Sequence, residues 1–218
     1  MEQRISGVGV LDKAAAVISA VAAGPVGLVG LVERTGLSRA TAHRLGSALE
    51  VHGYLRRDSE GRYALGSTLL AIGHAAAQGW PIADAAGPAL TQLRDLTGES
   101  AQLYVREGSQ RICVASLESL HGLRTIVATG ASLPLEQGSG GRVLNGEVGA
   151  DGWVVSVGER QAGVASVSAP ISAGDEVVAA VSVSGPIERL TRDPGATFGP
   201  PVLQAAHAIA AAAGVSFA

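Results

Sequence analysis

Cysteine, methionine and aromatic side chains are nearly missing from this 218-residue sequence, which carries one Cys, one Met, two Trp, three Tyr and two Phe. The lone Cys113 excludes an intrachain disulfide framework and any CxxC zinc or redox pair, and such sparing use of thiol fits a reducing cytoplasm. With aromatics at 3% and hydrophobic residues at 47%, the cores have to be built from Ala, Val and Leu. No apolar run reaches membrane-spanning length. Glu2 and Arg4 precede only a short Gly-Val stretch, where a signal peptide would need its basic and apolar regions. The expectation is a cytoplasmic protein with no membrane partner.

Catalytic constellations are missing too. GSGG (Gly138 to Gly141) lacks the Lys and Ser/Thr of a phosphate loop, and no GxSxG elbow occurs. Cys113 lies in an apolar stretch that suits buried packing. His74, His121 and His207 stand singly, and Glu159 beside Arg160 suits a surface or dimer pair. The sequence therefore points away from an enzyme, with no catalytic residue, metal ligand or cofactor.

The length suits two domains, each large enough to bury its own core. The net charge of −3 hides a split: residues 1–66 hold eight Lys or Arg against six Asp or Glu, and the remainder eight against thirteen. The small positive excess falls on the N-terminal part, where a nucleic-acid partner would need it.

That part contains VGLVGLVERTGLSRATAHRLGSALEVHG (Val26 to Gly53), in which spacing, capping and charge coincide. Leu28, Leu31 and Val32 form one apolar stripe on a short helix ending at Thr35. Gly36 supplies the freedom a tight turn needs, and Ser38 is a suitable N-cap for a second helix that runs to about His52, with Gly53 after it. On that helix Ala42, Leu45, Ala48 and Leu49 share a core side, while Arg39, Ala40, His43, Ser47 and Glu50 face away. Arg39 and Arg44 near its start occupy the half that enters a major groove, where a guanidinium fork suits guanine edges or phosphates. An ordinary helical hairpin with solvated charges fits the same pattern. The following YLRRDSEGRYAL (Tyr54 to Leu65) tips the balance, because two short strands about the turn Asp58 to Gly61 make a wing that carries Arg56, Arg57 and Arg62.

Elsewhere, Leu11 to Ala22 predicts a helix with Leu11, Ala14, Val17, Ile18 and Val21 inward, after a loose lead-in over Met1 to Gly9. Gly66 to Gln78 predicts a connecting helix with Leu69, Leu70, Ile72 and Gly73 free to pack. Gly79 to Pro81 forms a joint, and Ala83 to Leu96 a helix that Pro88 breaks, kinks or starts. From Gly98 the period changes from 3.6 to 2. Strands are expected over Ser100 to Arg106, Arg111 to Leu117, Leu123 to Ala128, Trp153 to Val157, Val164 to Ile171 and Val177 to Ser184, before a last helix over Pro201 to Ala213. The fold class is α+β: a winged helix-turn-helix over residues 1–66, a connecting helix over 67–79 and an antiparallel-sheet domain over 80–218.

This order, with TGLSRATAHRL, EVHGYL, GESAQLYVREG, RICVASLES, GWVVSVGERQAGVASVSAPI and VVAAVSVSGPIERLT, resembles the isocitrate lyase regulator (IclR) family of bacterial transcription factors over nearly the whole chain. Within that family it looks closest to actinobacterial regulators of amino-acid, including leucine, metabolism. The resemblance implies a GAF- or profilin-like effector domain, a dimer or dimer of dimers, a palindromic operator in double-stranded DNA, and a small-molecule effector such as an amino acid or small carboxylate. It places recognition positions on Ser38, Arg39, Thr41, His43 and Arg44, with Thr41 near the buried edge and suited to phosphate contact or packing.

For the effector the resemblance implies Ser139 and Gly140, Ser166 where some members carry cysteine, Ser156 where those members carry aspartate, and Ser182 with Ser184. Hydroxyls and free N–H groups at a helix N-terminus suit a carboxylate, and alternation puts Ser182 and Ser184 on one strand face. Serines in a Gly- and Ala-rich sheet also commonly bond only to nearby backbone. One departure stands out. Only Asn145 to Gly152 joins Leu144 to Trp153, where the family has a longer helical segment. The pocket wall is thereby shortened, which leaves a second reading: a constitutive DNA-binding regulator whose C-terminal domain only dimerises.

Overall fold

The computed structural model describes residues 6–214, and its contacts divide the chain into two compact units, Met1–Gly79 and Trp80–Ala218. In the first unit α1 (Gly9–Ala22), α2 (Leu28–Thr35) and α3 (Arg39–Val51) are followed by a hairpin of β1 (Leu55–Arg57) and β2 (Tyr63–Leu65), then by α4 (Ser67–Gln78). The caps explain the boundaries. Gly36 ends α2 in the left-handed region at φ +68°, and the Ser38 hydroxyl accepts from the Thr41 N–H at 3.3 Å to start α3. Gly53, at φ +72°, turns the chain out of α3 into the hairpin.

Val17, Val21, Val26, Leu31, Ala42, Leu49, Leu55 and Tyr63 form this unit's core. Val26 exchanges both backbone hydrogen bonds with Tyr63 at 2.9 Å, so the hairpin is stitched to the segment ahead of α2. Tyr63 lies on Gly46 of α3 so closely that a Cβ there would stand 2.6 Å from the ring. Four expectations need correction. Leu11 is 61% exposed; on α3 Ala48 is also outside, because Gly46 takes the inward place under Tyr63. On α4, Leu70 and Ile72 are 77% and 49% exposed rather than packed. Of the expected lead-in, Met1 to Ile5 lie outside the described residues, and the helix begins at Gly9.

The second unit runs α5 (Pro81–Thr97), β3 (Ser100–Glu107), β4 (Gln110–Leu117), β5 (Ser132–Pro134), α6 (Ser139–Leu144), β6 (Val154–Val157), β7 (Val164–Ala173), β8 (Glu176–Pro186), α7 (Ile187–Leu190) and α8 (Gly195–Ala212). The strands form one antiparallel sheet in the order β5-β4-β3-β8-β7-β6. The period of two divides its faces. Leu103, Val105, Val167, Ala169, Ile171, Val181 and Val183 belong to the main core with Leu90 and Leu93 of α5 and Val202, Ala206 and Ile209 of α8. Ser100, Gln102, Tyr104, Ser166, Ser168, Ser182 and Ser184 are at the alternate positions. Pairing aligns Ser156, Ser166, Ser184 and Ser100 in one rung, and Ser168, Ser182 and Gln102 in the next. This hydroxyl-rich face is the one that α6 approaches, with Gly140 against the Tyr104 ring.

Here too the structure corrects the sequence reading. Residues 123–128 are not a strand: Leu123 and Ile126 are 70% and 60% exposed. The free edge of β4 is taken instead by 130–134, where the Cys113 N–H donates to Ala131 at 2.9 Å and Arg111 pairs with Leu133. Pro88 lies exposed within an unbroken α5, where the helical carbonyl it leaves without an N–H can turn to water. α8 starts at Gly195, ahead of Pro200 and Pro201, because Gly195 and Gly199 bring it against Trp153. A Cβ at 199 would stand 2.3 Å from the indole, so close packing outweighs proline's usual preference for a helix start. Glu99, 2% exposed, is held by the Arg189 guanidinium, which ties the beginning of β3 to α7.

Candidate functional site

Local capping fixes which way α3 presents its side chains. With Ala42, Gly46 and Leu49 inward, Arg39, His43 and Arg44 are exposed and make no hydrogen bond or ion pair within the described residues. Ser38 and Thr41 are spent on each other: their hydroxyls lie 2.9 Å apart while Ser38 caps the helix, and Thr41 is half-buried. Thr41 is therefore a structural partner of the cap, as its position near the buried edge suggests.

The hairpin's three arginines separate. Arg56 is exposed and unpaired. Arg57 pairs with Glu50 at 3.3 Å, donates to the Gly61 carbonyl at 2.8 Å and stacks 3.5 Å from the centre of the Tyr63 ring. Arg62 is bound to Asp58 at 2.8 Å and to Glu60 at 3.3 Å. Arg57 and Arg62 thus already have counter-charges and shape the turn, and Arg56 alone of the three is ready for an external anion.

In the second unit the residues expected around an effector do converge. A small cavity is lined by Gly140, Ser156, Ser166, Ser182 and Ser184, together with Tyr104, Arg111, Gly138, Arg160, Gln161 and Val164. Ser139 is not part of that lining; its hydroxyl lies 2.7 Å from those of both Ser166 and Ser168. Ser168 donates onward to Ser182 at 2.9 Å, and Ser184 donates to Gln102 at 3.0 Å. Much of the serine array is therefore occupied in bonding itself. Among the described residues Ser156, 5% exposed, has no such bond.

The helix N-terminus supplies less than expected. α6 has six residues, and the Gly138 N–H already donates to Glu159 at 3.0 Å. Glu159 also accepts from Arg142 at 2.9 Å, so it braces α6 rather than pairing with its neighbour Arg160. The cavity volume is about 20 Å³, room for a single water, and Arg160 and Gln161 contribute to its lining.

Sequence reasoning missed Arg111 and Tyr104. Arg111 is 4% exposed, and its guanidinium carbon lies 5.1 Å from the centre of the Tyr104 ring; its Nε has no hydrogen-bond partner. Burial lowers the Arg111 pKa and raises that of the Tyr104 phenol, and it pushes the nearby Cys113 thiol up to about 12, which keeps it protonated and unreactive. GSGG acquires a steric reason. A Cβ at Gly141 would stand 3.0 Å from an Arg111 nitrogen and 2.2 Å from the Leu135 carbonyl, and one at Gly138 would stand 3.3 Å from the guanidinium. A signal was present in RICVAS, where Arg111 shares a strand face with the apolar Cys113. Among the described residues no group of His, Cys, Asp and Glu could hold a metal, and no helix is long and apolar enough to cross a membrane.

Comparison with known proteins agrees with both units. A family model described as the IclR helix-turn-helix domain matches residues 10–59, and one described as the bacterial transcriptional regulator IclR C-terminal matches 74–146 and 146–211. The second match comes in two pieces that meet at Gly146, inside the shortened segment. The chain is 34% identical over 52% of its length to the HTH-type transcriptional regulator KipR of Bacillus subtilis, covering 46% of that protein. It is 28% identical over 84% of its length to the glycerol operon regulatory protein of Streptomyces griseus, covering 87% of that protein. An IclR homolog from Microbacterium hydrocarbonoxydans, solved with 4-hydroxybenzoate, superposes with a TM-score of 0.73 at 19% identity, over 95% of this chain and all of that one.

Proposed function

The chain belongs to the IclR family of bacterial transcriptional regulators, and from that premise we propose that paired copies of its first unit dock α3 into successive major grooves of a palindromic operator, under the control of a small carboxylate held in the second unit. It is a DNA-binding regulator with a C-terminal effector domain, and its family is non-enzymatic. The observation that carries the docking is the solvent face of α3, where Arg39, His43 and Arg44 stand exposed and unpaired. Arg56 on the wing reaches the flanking phosphates.

Work on DNA puts the protein in the cytoplasm. The proposed control extends to amino-acid or related metabolism, and a relative solved with 4-hydroxybenzoate supports an organic acid as effector. The second reading is constitutive binding with a C-terminal domain that only dimerises. The cavity of about 20 Å³ and the family match interrupted at Gly146 favour it. Linkage separates the two: an effector acts only if it binds the DNA-bound and free forms with different affinity, and the coupling is reciprocal. Affinity for the duplex upstream of the gene should change about 5- to 150-fold when a cognate carboxylate saturates the protein. A constant affinity across a panel of carboxylates that do bind would favour constitutive action.

A further inference from the structure

We infer that Arg111 is the charge-selecting residue of the cavity, and that the cavity takes a small monocarboxylate carrying no ammonium group. This rests on the effector-sensing reading above. An arginine only 4% exposed needs a counter-charge or a full set of acceptors for its guanidinium. Arg111 has neither among the described residues: its one specific contact is the Tyr104 ring, and its Nε is orphaned.

The nearest carboxylate in the surroundings, Glu159, is engaged by Arg142 and the Gly138 N–H. The other charged neighbour, Arg160 in the lining, adds positive potential. Ser156 and Ser182 share the lining with their hydroxyl protons unspent, while Ser184 already donates to Gln102, so a bound carboxylate would meet one fixed cation and two hydroxyl donors. An amino acid's ammonium would meet no free carboxylate. The close approach of Gly138 and Gly141 pins the guanidinium in place, so its orientation costs little on binding. A ligand larger than one water needs lining side chains to move aside.

The test is calorimetry and thermal melting of the full chain with acetate, pyruvate and 4-hydroxybenzoate, each against its neutral amide, and with leucine, chloride and sulfate. At least one carboxylate should bind and raise the melting temperature, while its amide, leucine and the inorganic ions bind at least tenfold more weakly. Arg111→Met should lose that carboxylate at least tenfold while keeping the parent's DNA affinity without ligand, and Arg111→Lys should retain part of it. Amide binding as tight as acid, parent-like carboxylate binding by Arg111→Met, or equal binding of leucine or chloride would each overturn the assignment and leave the sensing reading standing. If Arg111→Met does not fold, the acid-against-amide ratio in the parent and in Arg111→Lys decides the same question. No carboxylate binding by the parent would remove the sensing reading, and the inference with it.

Discussion

Arg39, Arg44 and Arg56 stand in water on the first unit, while Arg111 is 4% exposed beneath α6 in the second, and none of the four has a counter-ion within the described residues. For the exposed three, lack of a partner costs nothing, because water solvates them; their meaning comes from sharing a helix face and a wing edge. For Arg111 the missing partner costs stability, so the residue itself marks a ligand. Exposed cations speak through their arrangement, and a buried one speaks through its environment.

Arg44→Ala should cost roughly 1–3 kcal/mol of DNA affinity by fluorescence anisotropy. Its melting temperature should stay at the parent's, because a solvated side chain is removed; a large loss of stability would show that Arg44 packs inside. Arg111→Met should do the reverse, raising unfolding free energy by on the order of 1–2 kcal/mol in urea with DNA binding untouched. Destabilisation instead would make Arg111 a structural residue.

Ser38→Ala should lower stability by about 1 kcal/mol through the lost cap of α3, weakening DNA binding only as far as the helix frays. Arg56→Ala should reduce the salt slope of DNA binding by about one, whereas Arg62→Ala, already neutralised by Asp58 and Glu60, should leave it nearly unchanged. Equal slopes for the two variants would erase the distinction between free and paired wing cations.

Alkaline pH probes the same buried neighbourhood. Cys113 is held up to about 12 by burial against an ordinary value of 9.0. The unfolded chain therefore gives up this proton first, and stability falls as pH rises from about 9 towards 12. The raised Tyr104 phenol adds in the same direction. Cys113→Ala should flatten part of the decline in denaturation midpoints measured from neutral to alkaline pH, and an unchanged slope would show that the thiol titrates normally.

Most of the first unit was legible before the structure because its signals are local. Gly36, the Ser38 cap and the strand–turn–strand pattern of Tyr54 to Leu65 each act over a few residues. The shared face of Ser182 and Ser184 followed equally from alternation. What escaped depends on distant partners. β5 is three residues with no period of its own, defined by the free edge of β4. The early start of α8 comes from two glycines meeting Trp153, and the outward turn of Ala48 from Tyr63 settling on Gly46. Alternation in RICVAS puts Arg111 on the face of the apolar Cys113, but only the packing of α6 over the sheet shows that it is buried and alone.

The most direct test of the central claim is the affinity of the full chain for a duplex from upstream of its own gene, measured for the parent and for an Arg39→Ala, Arg44→Ala double variant between about 50 and 200 mM salt. Docking of α3 predicts that the parent binds that duplex more tightly than a scrambled one, and that the variant loses both the preference and part of the salt slope. A variant that binds with the parent's affinity, preference and slope would contradict it.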